Sequence, residues 1–243
     1  MAIISGTKSE EIIKVLEKIP LNKRRKVTEI TLDMAGSMEL IAKRSFPKAV
    51  LVTDRFHVQQ LATEALQEIR IKHRWEAIDA ENEALEKAKT TKKQFNPIIL
   101  SNGDTVKQLL ARSRYVLYKK KKDWKPTQLE RAELLFKLYP DIEKAYELSQ
   151  NLSWIFENTK DKLYGTTRLA LWHEKVRQAG FKSFNTISRT IANHYETILN
   201  YFDNRSTNAS AESFNAKVKA FRSQFRGVKN IEFFLFRLTN IYA

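Results

Sequence analysis

Cysteine is absent from the 243 residues, which excludes a disulfide framework, a thiolate zinc site and a cysteine nucleophile and fits a reducing compartment. Glycine and proline are scarce, at six and five residues, together less than half of the roughly 12% found in an average protein. So few turn-formers argue against a β-sandwich or barrel and for long helices. No apolar run approaches the ~18 residues of a membrane span. The opening MAIISGTKSEEIIKVLEKIP meets Glu10, Glu11 and Lys14 before a signal-peptide core can form. A soluble, cytoplasmic chain with no membrane partner is therefore expected. A glycine-rich phosphate loop, a nucleophile elbow and an HExxH pair are also missing, and His73, His173 and His194 stand at no zinc-like spacing from a second ligand. ATP hydrolysis and serine hydrolysis are disfavoured.

What the chain has in excess is positive charge: 43 Lys and Arg against 28 Asp and Glu, a formal +15. An acidic partner follows. With 42% hydrophobic residues, 14 Phe and 4 Trp, the length suits one large domain or two small ones with a real core. The cations cluster in KRRK (Lys23 to Lys26), in KKKKDWK (Lys119 to Lys125) and in the segment holding Arg205, Lys217, Lys219, Arg222, Arg226, Lys229 and Arg237, which carries only Glu212 and Glu232 as acids. Backbone phosphate is the natural partner of such surfaces, and a solvated lysine-rich face is the ordinary alternative, above all for the first cluster. Tyr115, Tyr118 and Trp124 beside the lysine run suit either base stacking or contacts between packed helices.

Periodicity divides the chain unevenly. Ile12, Val15, Leu16 and Ile19 share a helical face closed by Pro20; KVTEITLDM then reads as a strand ending at Asp33. A helix over 35–45 puts Met38, Ile41, Ala42 and Ser45 on one face, Pro47 ends it, and AVLVT (49–53) is a second strand ending at Asp54. Such a strand, helix, strand unit makes parallel neighbours whose C-terminal ends share one sheet edge. From Phe56 to about Phe202 only helices are expected, over 56–93, 104–120, 126–139, 141–159, 164–179 and 184–202, with 90–103 as the most loop-like stretch. In NRSTNASAESFNAKVKAFRSQFRG a helix at about 100° per residue places Asn208, Asn215, Lys219, Arg222 and Arg226 some 20° to 80° to one side of Glu212. Phe214, Val218, Phe221 and Phe225 fall opposite, as a face held against a core, and Gly227 is placed to stop the helix.

Asp33 and Asp54 each follow a strand, where α/β proteins place functional groups, and Glu212 sits on an anchored helix. Three separated carboxylates outline a site for hard divalent ions such as Mg²⁺, which in pairs activate an attacking oxygen and stabilise a leaving one in phosphoryl transfer. An Asp after a strand is equally a helix N-cap, and Glu212 equally a solvated surface charge. His57, three residues after Asp54 in TDRFHV, can orient the carboxylate, touch phosphate or serve structure alone.

The segments TLDMAGSMELIAKRSFPKAVLVTDRFHVQQLATEALQEIR, KSFNTISRTIANHYETILNYF and NRSTNASAESFNAKVKAFRSQFRG together resemble the transposases of the ISL-three insertion-sequence family, members of the DDE group. The resemblance runs from about residue 3 to the end. It implies a mixed α/β, mostly helical chain with a partial ribonuclease-H-like fold: residues 1–54 and 203–243 as a catalytic-domain remnant built on the strand, helix, strand unit, and 55–202 as an all-helical insertion. It also implies that Asp33 and Glu212 are catalytic and metal-binding, that Asp54 and His57 form a supporting D-x-x-H signature, and that Mg²⁺ (or Mn²⁺) is the cofactor. Asn208, Asn215, Lys217, Lys219, Arg222 and Arg226 are the expected DNA contacts. Transposon-end and target DNA are the expected substrates, with full-length transposase or a second copy as protein partners.

In that family the first catalytic aspartate lies on an earlier strand, behind zinc-binding and helix-turn-helix regions, and no strand ending in Asp precedes Asp33. The chain is accordingly expected to be the truncated C-terminal part of such a transposase. Two carboxylates hold two ions poorly, so it is expected to retain DNA affinity and to be inactive in cleavage and strand transfer alone. Two other readings compete: a non-catalytic DNA-binding or inhibitory protein that associates with transposon DNA or full-length transposase, and a helical scaffold without a nucleic-acid role.

Overall fold

The computed structural model describes residues 4, 6–225, 227 and 229–242. The chain divides into two compact units, Met1–Arg55 with Glu196–Ala243, and Phe56–Tyr195.

The first unit opens with helix α1 (Ser9–Leu16), whose Glu10 and Glu11 favour the positive end of the helix dipole and whose Ile13 is buried. The helix stops before Ile19, ahead of Pro20. A single turn, α2 (Leu21–Arg24), follows. Arg24 ties it down: Nε donates to the Ile19 carbonyl (2.9 Å) and Nη1 to the Ser45 carbonyl (2.7 Å). Strand β1 (Glu29–Leu32), helix α3 (Gly36–Ser45) and strand β2 (Val50–Thr53) make the expected strand, helix, strand unit. The strands pair in parallel from Glu29 opposite Val50 to Leu32 opposite Thr53. Helix α3 buries Ile41, Ala42 and Ser45. Met38, expected on that face, is 42% exposed, because α3 packs on α1 and β1 through its later turns. Leu51, Val52 and Thr53 of β2 are buried, whereas β1 is half-buried throughout.

The second unit is all helical apart from an isolated bridge between Ile99 and Thr105. Helix α4 (Arg55–Thr90) enters it and is about 54 Å long at 1.5 Å per residue. Its buried residues, Val58, Ala62, Ala65, Leu66, Gln67 and Arg70, all lie in its first half. Helix α5 is only Val106–Arg112, held at its start by a capping box of Thr105 and Gln108. The expected helix over 104–120 ends at Arg112 and gives way to turns; Ser113 Oγ donates to the Leu109 carbonyl (2.7 Å) and, further on, Trp124 Nε1 to the Val116 carbonyl (2.9 Å). Helices α6 (Pro126–Leu138) and α7 (Pro140–Asn158) each start on a proline, which suits a first turn that needs no N–H partner. Helix α8 (Lys162–Ala179) is capped by Asp161 and ends at Gly180, whose φ of 72° is the left-handed stop that glycine adopts without strain. Helix α9 (Lys182–Asn193) completes the unit. Leu135, Ile142, Leu152, Leu169, Trp172 and Phe184 are fully buried here, and the Trp172 indole is satisfied by the Leu148 carbonyl at 2.9 Å. Asp104, 1% exposed, is paired with Arg112 and with Arg131 Nε (3.2 Å).

The expected helix over 184–202 is broken after Asn193 and again at Asn200. Its last part forms α10 (Tyr195–Leu199) and α11 (Tyr201–Asn204), which bury Ile198, Leu199, Tyr201 and Phe202 in the first unit. Helices α12 (Ala209–Gln224) and α13 (Ile231–Tyr242) follow. Among the described residues no helix is long and apolar enough to cross a membrane.

Candidate active site and nucleic-acid interface

Parallel pairing brings the C-terminal ends of β1 and β2 to one sheet edge, and with them Asp33 and Asp54. The ladder runs on past the strands, since the Asp54 N–H donates to the Leu32 carbonyl (3.0 Å). The two aspartates differ in setting. Asp33 is half-buried and its Oδ1 accepts the Ala35 N–H (3.1 Å), turning the chain into α3. This is an Asx-type turn two residues ahead of the α3 N-cap, Ala35, which itself has no side-chain cap bond, so Asp33 is not the helix N-cap; the contact uses one of its two carboxylate oxygens. Asp54 is 2% exposed. His57, in the first turn of α4, is half-buried with its ring edge-on to Phe56 at 5.8 Å.

Two contacts fasten the returning segment to β2. Asn200 Nδ2 donates to the Leu51 carbonyl (2.8 Å), and the hydroxyls of Thr53 and Thr197 lie 2.7 Å apart. These residues carry no signal in the sequence, because their partners lie about 150 positions away. They set the start of the segment that leads to α12.

Glu212 sits in the first turn of α12, exposed, its N–H bonded to the Asn208 carbonyl (2.8 Å). Asn215, Lys219 and Arg222 are exposed on the same face. Among the described residues none of Glu212, Lys219 and Arg222 makes an ion pair. Their charges are therefore available to a ligand. Lys217 is also exposed but stands about 140° around the helix from Glu212, and Arg226 lies outside the described residues. The opposite face is less covered than its pattern promised. Phe221 is buried and meets Phe225 (4.6 Å) and Phe234 of α13 (5.3 Å), while Phe214 is 40% exposed.

Carboxylate oxygens suit a hard divalent ion in kind. In number they fall short: among the described residues no group of three or more His, Cys, Asp or Glu side chains is placed to hold a metal ion. Asp33, Asp54 and Glu212 are thus not gathered into one closed ligand set.

The family model of the ISL-three DDE group, described as a transposase, matches residues 1–238. No curated protein and no solved structure matches the chain. With nearly the whole length matched, the chain belongs to the ISL-three family of DDE transposases, whose membership implies DNA as partner and which generally use a divalent metal ion.

Proposed function

We propose that the chain works in DNA transposition as a cytoplasmic, metal-dependent transposase that cleaves and joins phosphodiester bonds, with Asp33 and Glu212 as two of its catalytic carboxylates. The observation that carries this reading is the α12 face, where an exposed acid on a regular helix is followed by two unpaired cations, Lys219 and Arg222, about two and three turns on. Phosphates of transposon-end and target DNA would lie along those cations, with Asn208 and Asn215 as hydrogen-bonding neighbours of Glu212 and Lys217 at the margin. The two-stranded unit is read as part of a ribonuclease-H-like catalytic fold and residues 55–202 as the helical insertion in it. The D-x-x-H pair Asp54 and His57 supports the site from the second strand.

Because the described carboxylates do not complete a ligand set for Mg²⁺ or Mn²⁺, no step is assigned to a metal held by this chain alone. Alone, the chain binds DNA without cutting it, and another transposase chain or a second copy supplies the remaining donors. The test is nicking of supercoiled plasmid with Mg²⁺ or Mn²⁺ and after chelation, by the wild type and by Asp33→Asn and Glu212→Gln, with retention of the plasmid at low salt read in parallel. Retention without nicking is expected. Metal-dependent nicking lost in both variants would overturn the inactivity and keep the site. No retention at low salt would overturn the reading as a whole.

A further inference from the structure

The lysine run of the helical unit plays no part in the α12 face, and its members are not alike. The Lys119 ammonium lies 3.3 Å from Gln128 Oε1, and its carbonyl accepts the Tyr146 hydroxyl at 2.8 Å. Lys120 spans to Glu157, 2.6 Å from both carboxylate oxygens. Lys121 and Lys122 are exposed on the turn Lys121–Asp123, and among the described residues neither side chain has an ion-pair partner. They border an open cleft of about 660 Å³ whose other wall is helix α7.

That wall presents Trp154, 47% exposed, between the amides of Gln150, Asn151 and Asn158. The Arg168 guanidinium stands 4.7 Å from the centre of the Trp154 ring, and its Nη1 donates to the Asn158 carbonyl (2.7 Å) and to Thr159 Oγ1 (3.0 Å). The indole is thereby held in place by a cation that is itself anchored. Of the two acids in the wall, Glu157 is neutralised by Lys120, and Glu147 remains. Trp124, the aromatic nearest in sequence, is not free to stack on a ligand: its ring packs against Phe136 (6.2 Å) and Tyr146 (5.5 Å) and its Nε1 is bonded to the Val116 carbonyl.

A fixed, half-exposed indole offers a face or edge to a planar apolar group. Of the amides beside it, Asn158 Nδ2 is spent on the Trp154 carbonyl (3.0 Å) and Asn151 Oδ1 accepts from Lys175 (3.3 Å), which leaves the Gln150 amide, Asn151 Nδ2 and Asn158 Oδ1 to donate and accept, and two ammoniums without an ion pair stand at the rim. A nucleotide strand has this composition, and only an unpaired one bares its base faces, since a duplex stacks them on one another. We infer that this cleft binds single-stranded DNA, with a base stacked on Trp154, its edge read by the amides, and flanking phosphates on Lys121 and Lys122. The inference shares with the proposed function only the choice of DNA as ligand and does not depend on the α12 face.

The test is fluorescence anisotropy of the full chain with a labelled oligo-dT strand and with a duplex. The variants are Trp154→Ala, Trp154→Phe, Lys121→Ala with Lys122→Ala, and Lys219→Ala with Arg222→Ala. Trp154→Ala should weaken oligo-dT binding at least about fivefold and leave the duplex unchanged, while Trp154→Phe, which keeps a ring, should retain most of the affinity. The Lys121 and Lys122 variant should lower the slope of log affinity against log salt on oligo-dT by about 1.4, at ~0.7 per phosphate on a single strand. Oligo-dT binding indifferent to Trp154→Ala and to the double lysine variant would overturn the inference, and so would equal losses on strand and duplex. Loss of both ligands in the Lys219 and Arg222 variant would leave α12 as the one DNA site and remove the cleft. Oligo-dT binding that survives there, with duplex binding also intact, would keep the cleft and defeat the α12 reading.

Discussion

Replacing Lys219 and Arg222 together by alanine tests the α12 face through salt dependence. Both side chains are exposed and the helix is held by Phe221 between them, so the double variant should keep its fold. Each cation that neutralises a duplex phosphate contributes about 0.9 to the slope of log affinity against log salt, so two contribute about 1.8. Between 50 and 200 mM salt, a fourfold change, those two contacts account for roughly twelvefold of the affinity lost by the wild type. The variant should therefore bind duplex more weakly at low salt and lose less on going to high salt. Lys217→Ala is the internal control, since it removes the same charge about 140° around the helix from Glu212. Its slope should change by less than half of one contact. Duplex titrations at four or five salt concentrations, with circular dichroism as the fold check, decide the matter. A double variant with the wild-type slope, or a Lys217 variant whose slope falls as far as the double variant's, refutes a directional α12 face and leaves only a diffuse attraction from the net charge.

Asn200→Ala removes the buried donor to the Leu51 carbonyl; a loss of about 1–3 kcal/mol, read as a lower urea midpoint, is expected, and a change below about 0.5 kcal/mol would mean water or a neighbour replaces it. Burial pushes the Tyr146 phenol up to about 12. With the folded value above the usual 10, the neutral phenol favours folding fully below pH 10, and that stability is lost as pH rises from about 10 towards 12. The loss amounts to roughly 2–3 kcal/mol. Melting temperatures between pH 8 and pH 11.5 should fall less steeply in Tyr146→Phe, which gives up the bond to the Lys119 carbonyl at every pH; parallel curves would contradict the assignment.

Local signals carried most of the element pattern. Pro126 and Pro140 mark the starts of α6 and α7, Gly180 the end of α8, and the β-branched clusters before Asp33 and Asp54 the two strands. The run from 104 to 120 has a helical pattern, yet α5 ends at Arg112 with turns after it; the run from 184 to 202 breaks at Asn200, whose side-chain amide serves a strand carbonyl 149 positions earlier, a partner that no local pattern reveals. The candidate site was legible to a similar depth. Helical spacing gives the α12 face from sequence alone, including which cations flank Glu212. It says nothing of what covers the other face, and Phe214 is exposed where burial was expected. Nor does spacing separate the two roles of an aspartate after a strand: Asp33 holds the Ala35 N–H, which a metal ligand can also do with one oxygen. Trp154 carries no sequence signal, because its i, i+4 neighbours are polar and its partner Arg168 lies on the next helix.

Helix α4 outlasts its own core. From Ile71 to Thr90 no residue is buried, so about 30 Å of helix is held by backbone bonds and by a few side-chain pairs, such as Lys107 with Glu81 and His73 with Asp141. Opening this stretch exposes little apolar surface, so its free energy lies well below that of the unit it belongs to. Its amide protons exchange with solvent by unzipping from the Thr90 end, turn by turn, while those beside Val58, Ala62 and Leu66 wait for the whole unit to open. A protease meets Lys87 and Lys89 in a chain that is otherwise folded, and because fraying is far faster than cleavage, nicking there should report the local fraying equilibrium rather than the global stability of the molecule.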